Sequence, residues 1–594
     1  MPVAVIVRTI LIVLSLVCAA VGVAEQAEAT PVSIEEARAA VLRGYETLDR
    51  AVGAKDVATI EQVYAKDAVF IAQGFAMTLP QFQTMLRDML AATSEISQST
   101  DLQSLTTEEN GRFVAITKVR TRMVTAGSGA GTTSSTEILS VGKEDWRLTS
   151  AGWRIVRSAD EGTPPRTFID GVEQGVEAPL TSEERAAVVA DLKSRARPLA
   201  AVDAGTDTAD LAFLDSFVGD ARIVALGESS HGSSEQFRMK RRIIEYLVER
   251  KGFTVVAFEA NWADALATDR YVKGGEGSIE TALSALGYWV WRTEEVKELL
   301  EWMREQNARR PPERRLTFAG IDIQQKKDPV SCVLDALQKA GETDHERAVR
   351  LYTYETPPDG ASDEQIEAAL DVARKRVREA RSILEAAHDR IVPALSERDF
   401  QTARQCATVI VQALDNLGLG LLAGQLRDPA MADNVKWLAD VDRPGEKIIV
   451  WAHNGHVGNQ PTTMGESLRK MFGSSLVVIG QAVHDGEIRA NPVIDGITRG
   501  SLLSLDGPVS IPLAAPAPGS LSDVVAGAEI PAFFLDLKGA DGGALAHWLA
   551  RPLRETSIGW PYDPSQPNTR TIVLPTTYDA LIFIAKSSAT TLAR

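Results

Sequence analysis

The apolar positions keep one rhythm as far as residue 158 and another beyond residue 210. In SIEEARAAVLRGYETLDRAV, from residue 33, Ala37, Val41, Tyr45 and Leu48 recur at helical spacing. AKDVATIEQVYAKDAVFIAQ predicts a second short helix and then a strand, and LPQFQTMLRDML a third helix. RFVAITKVRTRMV, SSTEILSVGKEDWRLTS and GWRIVRS read as strands, and the glycine-rich TAGSGAGTT as a hairpin-type link. Helices followed by an antiparallel meander give an α+β pattern over residues 33–158. Residues 159–181, rich in Gly, Pro and acids, read as a linker.

A helix beginning near Ser182 opens the second unit, 182–594. Short apolar runs then alternate with amphipathic helices. ARIVALG, FTVVAFE, RLTFAGID, EKIIVWAHN, SLVVIGQAV, IPAFFLDL and YDALIFIAKS are the predicted strands. SEQFRMKRRIIEYLVERKG is a helix with Ile243, Ile244, Leu247 and Val248 on one side and Gly252 ending it. Apolar strands separated by helices predict an α/β fold with a mostly parallel sheet covered on both faces. A helical insertion at about 327–445 breaks the strand rhythm and reads as a cap or lid.

Composition narrows the partners. The formal net charge of −17 argues against a nucleic-acid partner, which needs a basic footprint. At the N-terminus Arg8 precedes an apolar run, Ile10–Val23, and Ala27-Glu28-Ala29 fits a cleavage site. Residues 1–29 therefore read as a secretory signal, predicting a secreted or periplasmic protein with no stable membrane span after processing. Cys18 leaves with the signal. Cys332 and Cys406 then remain, as one bridge in an oxidising compartment or as two buried thiols.

The chemistry gathers where the strands stop. The first ends at Gly227-Glu228 with His231 just beyond, the second at Glu259, the third at Asp322, and the fourth in WAHNGHVGN with His453 and His456. Ligands of open α/β sheets bind outside these carboxyl ends. Each acid alone could cap a helix and each histidine could be structural, but one pocket explains all of them. His345 and His388 are expected at the surface and His547 on a helix, while His484 follows the VVIGQAV strand and could reach the pocket edge as the lesser reading. GESSH lacks the last glycine of G-x-S-x-G, so Ser229 and Ser230 are weak nucleophile candidates. Neither H-E-x-x-H nor G-x-G-x-x-G stands where a zincin or a dinucleotide fold needs it. His453 and His456 with Glu228 or His231 are ligand-type residues, which leaves a metal-assisted route open. The simpler scheme is general-base hydrolysis. One histidine takes a proton from water, a carboxylate orients it, and a second histidine donates to the oxyanion or leaving oxygen. No cofactor is required by that scheme.

VALGESSHGSSEQF, GFTVVAFEANWADALATDRYV, FAGIDIQ, QLRDPAMADNVKWL, WAHNGHVGN, TTMGESL and YDALIFI together resemble the erythromycin esterase family over about residues 215–587. One small departure is Gln236, which splits Glu235 from Phe237. The resemblance implies hydrolysis of a small carboxylic ester or lactone, without metal, with His231 as the base. Glu228 and Glu259 become orienting acids, and one of His453 and His456 a second catalytic histidine. Arg427, Asp428 and Asn434 then lie on a helix beside the pocket and, with Asp322, contact substrate. An amide-directed or metal-assisted hydrolase and a non-catalytic secreted binding protein are the competing expectations. AVLRGYETLDRAVGAKDVATIEQVYAKDAVF and WRLTSAGWRIVRS loosely resemble the cone-shaped SnoaL-like branch of the nuclear-transport-factor-2-like superfamily. Residues 33–158 contain no histidine, so an accessory role, including a homodimer contact, is expected there rather than a second active site.

Overall fold

The computed structural model describes residues 32–593, apart from 73–74, 109–111, 127–132, 161–164, 170–171, 175–179, 325–326, 340–344, 354–362, 418–424, 495–496, 539–541 and 567. The signal segment 1–29, most of TAGSGAGTT and part of the linker lie outside the described residues.

In the N-terminal unit, helices Ile34–Ala54, Val57–Val63 and Leu79–Ala92 pack on a sheet. Its main strands are β1 (Tyr64–Ala72), β2 (Phe75–Thr78), β3 (Thr93–Thr107), β4 (Phe113–Ala126), β5 (Thr133–Thr149) and β6 (Gly152–Asp160), in the order β2-β1-β6-β5-β4-β3. The short β7 (Arg166–Ile169) and β8 (Val172–Gln174) extend it beside β5. Ala37, Val41, Tyr45 and Leu48 are buried against Leu86, Ile96, Met123, Trp146 and Ile155, as their spacing required. Glu144, a carboxylate buried in this unit, accepts from Tyr45 Oη at 3.0 Å and Thr117 Oγ1 at 3.1 Å. Trp146 Nε1 donates in turn to Tyr45 Oη at 2.9 Å.

The second unit is built on β9 (Arg197–Pro198), β10 (Ile223–Leu226), β11 (Phe253–Asn261), β12 (Thr317–Asp322), β13 (Lys447–Trp451), β14 (Leu476–Ile494), β15 (Ile497–Thr498), β16 (Val509–Pro512), β17 (Ala532–Asp536), β18 (Leu553–Thr556), β19 (Pro561–Tyr562), β20 (Thr569–Ile572) and β21 (Ala580–Ser587). The sheet order is β12-β11-β13-β10-β14-β21-β17-β9. Strands β12 to β21 of that order run parallel. β17 and β9 are antiparallel, as are β15 and β16 against the far end of β14. The sheet is thus mixed, where the sequence predicted a mostly parallel one. A short apolar run buried on both faces reads the same in either direction, so AFFLD could not announce that β17 reverses. β18 and β20 form a separate two-stranded ribbon.

Side chains alternate into two cores. Val224, Leu226, Val256, Phe258, Ile449 and Trp451 face one side with Phe237, Ile243 and Leu299 of the helices there. Ile223, Ala225, Val255, Ala257, Ile448 and Val450 face the other with Met431, Leu468 and Val524. The insertion forms a third core from helices Lys327–Lys339, His345–Tyr352, Asp363–Ala386, His388–Ala394 and Glu397–Asn416. Trp262 and Ile323, from beyond the ends of β11 and β12, enter that core and dock the cap on the sheet edge. Cys332 and Cys406 pair, tying the first insertion helix to the last. Among the described residues, no helix is long and apolar enough to cross a membrane.

Candidate active site

The turn after β10 is tightly specified. A Cβ on Gly227 would lie 2.1 Å from Asn454 Oδ1, so only glycine fits there. Glu228 is fully buried, with Oε1 3.1 Å from His231 Nδ1. Its other oxygen pairs with Lys240 on helix Ser234–Arg250, which is also fully buried. Lys240 donates to Ala452 O at 3.2 Å and stands 4.7 Å from the centre of the Trp451 ring. Burial pushes its ammonium well below the usual range, against the pull of Glu259. Ser229 and Ser230 are buried and employed in the turn. Ser229 Oγ accepts from Gln236 Nε2 at 2.9 Å, and Ser230 Oγ from Gly232 N at 3.1 Å.

Glu259 ends the apolar run of β11. Its Oε1 accepts from Arg427 Nη2 at 2.7 Å and lies 3.1 Å from His456 Nε2, while Oε2 accepts from His453 N at 2.9 Å. Burial alone would raise its pKa, but His456 and Arg427 hold it well below the usual carboxylate range. Asp322 closes β12, fully buried. It takes Arg427 Nε and Nη2 at 2.9 and 2.8 Å, with Ile323 N and Gln324 Nε2 at 2.7 Å. Its place is therefore behind Arg427, which it holds in a two-pronged grip. Asn434 is also fully buried. It donates to Ile321 O at 2.8 Å and accepts from Gln405 Nε2 at 2.7 Å, so it ties helix Arg427–Trp437 to β12 and to the cap.

The two histidines of HNGH differ sharply. His453 Nδ1 accepts from Gly455 N at 3.0 Å, capping helix Asn454–Val457, so Nε2 carries the proton and points at Ile558 O, 3.2 Å away. Both ring nitrogens are thus committed. Burial, and next the neighbouring His231, push its pKa well below 6.5. His456 lies between two carboxylates, Nδ1 2.7 Å from Asp428 Oδ1 and Nε2 3.1 Å from Glu259 Oε1. Burial would lower its pKa, but Asp428 and Glu259 raise it to about 10. Arg427 Nη1 also lies 3.1 Å from Nε2, but the two carboxylates outweigh it, and the ring is an imidazolium at neutral pH. His231 goes the other way. Burial lowers its pKa to about 4 in spite of Glu259, so it is neutral at the same pH.

His231 and His453 have ring centres 5.0 Å apart, and His453 and His456 6.4 Å. Glu228, His231 and Glu259 each offer one ligand atom, all within 4.8 Å of one another, an arrangement able to hold a divalent cation. Side-chain exposure is 21% at Arg427 and His456, 16% at Asp428 and 12% at His231, but falls to 5% at Glu259 and nil at Glu228 and Asp322. The open edge is therefore made by Arg427, His456, Asp428 and His231. His484 stands beside Asp485 instead, with Nδ1 to Oδ2 at 4.0 Å. Two cavities, of about 480 Å³ beside Asp485 and Lys586 and about 260 Å³ beside Arg381 and Trp437, lie away from these residues. Sequence reasoning passed over Lys240, Asn454 and the Ile558 peptide. Lys240 did leave a signal, since it falls on the helix stripe of Ile243, Ile244 and Leu247.

Comparison with known proteins identifies the family. The erythromycin esterase family profile matches residues 248–587, more than half of the chain. The Bacillus subtilis (strain 168) protein named "Putative hydrolase YbfO" is 26% identical over 418 residues, 66% of this chain and 89% of its own. Erythromycin esterase type II of Escherichia coli is 25% identical over 318 residues, 47% of this chain and 72% of its own. A Bacillus cereus protein of known structure superposes with a TM-score of 0.59 at 27% identity, covering 70% of this chain and all of that one. The profile match over more than half of the length shows that the chain belongs to the erythromycin esterase family.

Proposed function

We propose that the chain hydrolyses a carboxylic ester or lactone at the edge formed by His231, His456 and Arg427. The observation that carries this reading is the convergence of His231, His456 and Arg427 on Glu259, one histidine neutral and the other charged. Neutral His231 takes a proton from water as the water oxygen attacks the carbonyl carbon, and Glu259 steadies the imidazolium that results. His456 and Arg427 supply positive charge to the oxyanion. Collapse breaks the C–O bond, and the leaving oxygen takes its proton from an imidazolium. His453, with both nitrogens committed, orients the turn.

The same cluster fits a metal-assisted route at least as well. Two carboxylates and one imidazole within 4.8 Å suit a divalent cation, which would lower the pKa of a bound water and relieve His231 of that task. In that case Lys240 and His456 release charge from Glu228 and Glu259, and binding sheds protons.

One experiment separates these readings. The purified protein and His231→Ala are assayed on esters, lactones, macrolides and amides, with and without chelator. Loss of activity in His231→Ala with indifference to chelator supports the first route. Loss on chelation, restored by a divalent ion, supports the second. Equal turnover by both proteins sinks the role of His231, and turnover of amides alone moves the substrate class. The name of the E. coli relative makes a macrolide lactone the first lactone to test. A location outside the cytoplasm draws support from the Cys332–Cys406 pair and the signal-like segment. The N-terminal unit is assigned an accessory role as a homodimer contact, which light scattering with and without residues 33–158 would test.

A further inference from the structure

The two histidine turns hang on adjacent strands, β10 and β13. Residues that never reach the open edge set the gap between them from behind. Asn454, fully buried, is the hub. Its backbone N donates to Glu228 O at 2.7 Å, crossing from one turn to the other. Its Nδ2 donates to Gln481 O at 2.7 Å and Glu555 Oε1 at 2.9 Å, and its Oδ1 accepts from Gln481 N at 3.2 Å. Glu555 is 1% exposed and comes from the separate β18–β20 ribbon. It also accepts from Arg570 Nε at 2.8 Å and Tyr578 Oη at 3.0 Å. Arg570 Nη2 donates onward to Asn454 O at 2.8 Å and to the Tyr578 hydroxyl. Just past β18, Ile558 N donates to Ser229 O at 2.8 Å in the His231 turn, while Ile558 O faces His453 Nε2. Gln481 Nε2 adds a bond to Gly227 O at 2.9 Å. There is no slack behind this web: a Cβ on Gly480 would meet the Tyr578 ring at 2.8 Å.

We propose that the β18–β20 ribbon is the positioning element of this site: through Glu555, Arg570 and Ile558 it fixes the His231 turn against the turn that carries His456. The proposal rests on the hydrolase reading above and deepens it. Apolar packing would hold two loops together as well as these buried charges do, but with less control of direction. Directed bonds to one carboxylate, one amide and one peptide specify the distance between base and imidazolium. Reactions of this kind lose on the order of 100-fold when groups are misplaced by about 1 Å. Glu555, Arg570 and Ile558 bond to the two turns, so they act through them and are positioning residues.

Two conservative variants test this, Glu555→Gln and Tyr578→Phe, each checked for a native circular dichroism spectrum. Both are assayed for kcat and KM on p-nitrophenyl butyrate. The ring 15N shifts of His231 and His456 are read at one fixed pH by NMR on protein labelled with 15N-histidine, which requires no turnover. For Glu555→Gln the expected result is a loss in kcat of tenfold or more, KM within twofold, and ring shifts displaced from those of the wild type. Tyr578→Phe should move both readouts in the same direction by less. A kcat and ring shifts like those of the wild type in the folded variants would overturn the proposal. If the wild type turns over none of the esters, lactones and amides named above, the hydrolase reading fails, and the ring shifts alone decide this one. If Glu555→Gln does not fold, Tyr578→Phe carries the test.

Discussion

Replacing Asp428 by Asn probes the charge state on which the proposed chemistry depends. Asn keeps the shape and an acceptor for Met464 N, which Asp428 Oδ2 now holds at 2.8 Å, so the start of helix Met464–Phe472 is preserved. What disappears is the negative charge 2.7 Å from His456 Nδ1. The interval between the ordinary 6.5 and about 10 corresponds to about 5 kcal/mol in favour of the imidazolium. Burial opposes that preference, and Asp428 supplies more of it than Glu259 does. Removing the larger share of it, at least about 2.5 kcal/mol, brings the midpoint down to about pH 8 or below. If the imidazolium is the required acid, the alkaline limb of kcat/KM falls near pH 10 in the wild type and near pH 8 or below in Asp428→Asn. The difference is then at least about tenfold at pH 9 and smaller at pH 7. A pH–rate profile on one hydrolysed ester reads this directly. An alkaline limb that stays in place in the variant, with the fold intact, refutes the assignment of His456 as the charged partner.

Other expectations follow from the same geometry. His231, with its pKa lowered from 6.5 to about 4, binds its proton less readily folded than unfolded, so stability rises with pH between those values. Acidification from pH 6.5 to 4 therefore costs about 3 kcal/mol through this residue, and urea unfolding of His231→Gln should show a flatter dependence. His456 has the opposite sign. Its contribution is complete below pH 6.5 and is lost as the pH rises through about 10, a loss that His456→Gln removes from the same curves. Lys240→Met strands the fully buried Glu228 carboxylate and should destabilise the protein by about 3–5 kcal/mol by chemical unfolding. A variant as stable as the wild type would refute that pairing. Reducing the Cys332–Cys406 bond reopens a loop of 74 residues, worth at most about 4 kcal/mol of chain entropy. Scanning calorimetry with and without reductant should show a lower unfolding temperature, with the cap as the part that loosens.

Much of this was legible in the sequence, for identifiable reasons. Helix Ile34–Ala54 buries the residues that its spacing nominated, and the strand ends bring Glu228, Glu259, Asp322 and the HNGH pair to one edge. The rule is local there, because a strand end is encoded by the apolar run that precedes it. Two things were not legible. The direction of β17 depends on its path between neighbours, and its five residues bury alike either way. The distinction between His453 and His456 depends on groups distant in sequence. Asp428 and Glu259 charge His456, while burial and the neighbouring His231 keep His453 neutral. In the sequence the two are near-equivalent members of one short motif.

The buried charges at the strand ends also explain why two chemical routes use the same residues. Glu228, Glu259, Asp322 and Asp428 face Lys240, Arg427 and His456, so the cluster carries one carboxylate more than its cations. Whether the Lys240–Glu228 proton sits on one partner or the other leaves that total unchanged. Two of these carboxylates meet His231 in the trio Glu228, His231 and Glu259, whose ligand atoms come within 4.8 Å of one another. Such a place attracts one further positive charge. A proton arriving on His231 as water attacks supplies it during turnover, and a divalent cation would supply it at rest. The two differ in when the charge arrives. With a cation already bound, a second proton on His231 is opposed, and the acid limb of the pH–rate profile reports proton competition for ligands and moves with metal concentration. Without one, the acid limb tracks His231 alone, near pH 4, and is indifferent to added metal. Measuring that limb at two metal concentrations therefore separates the routes without any mutation of the site.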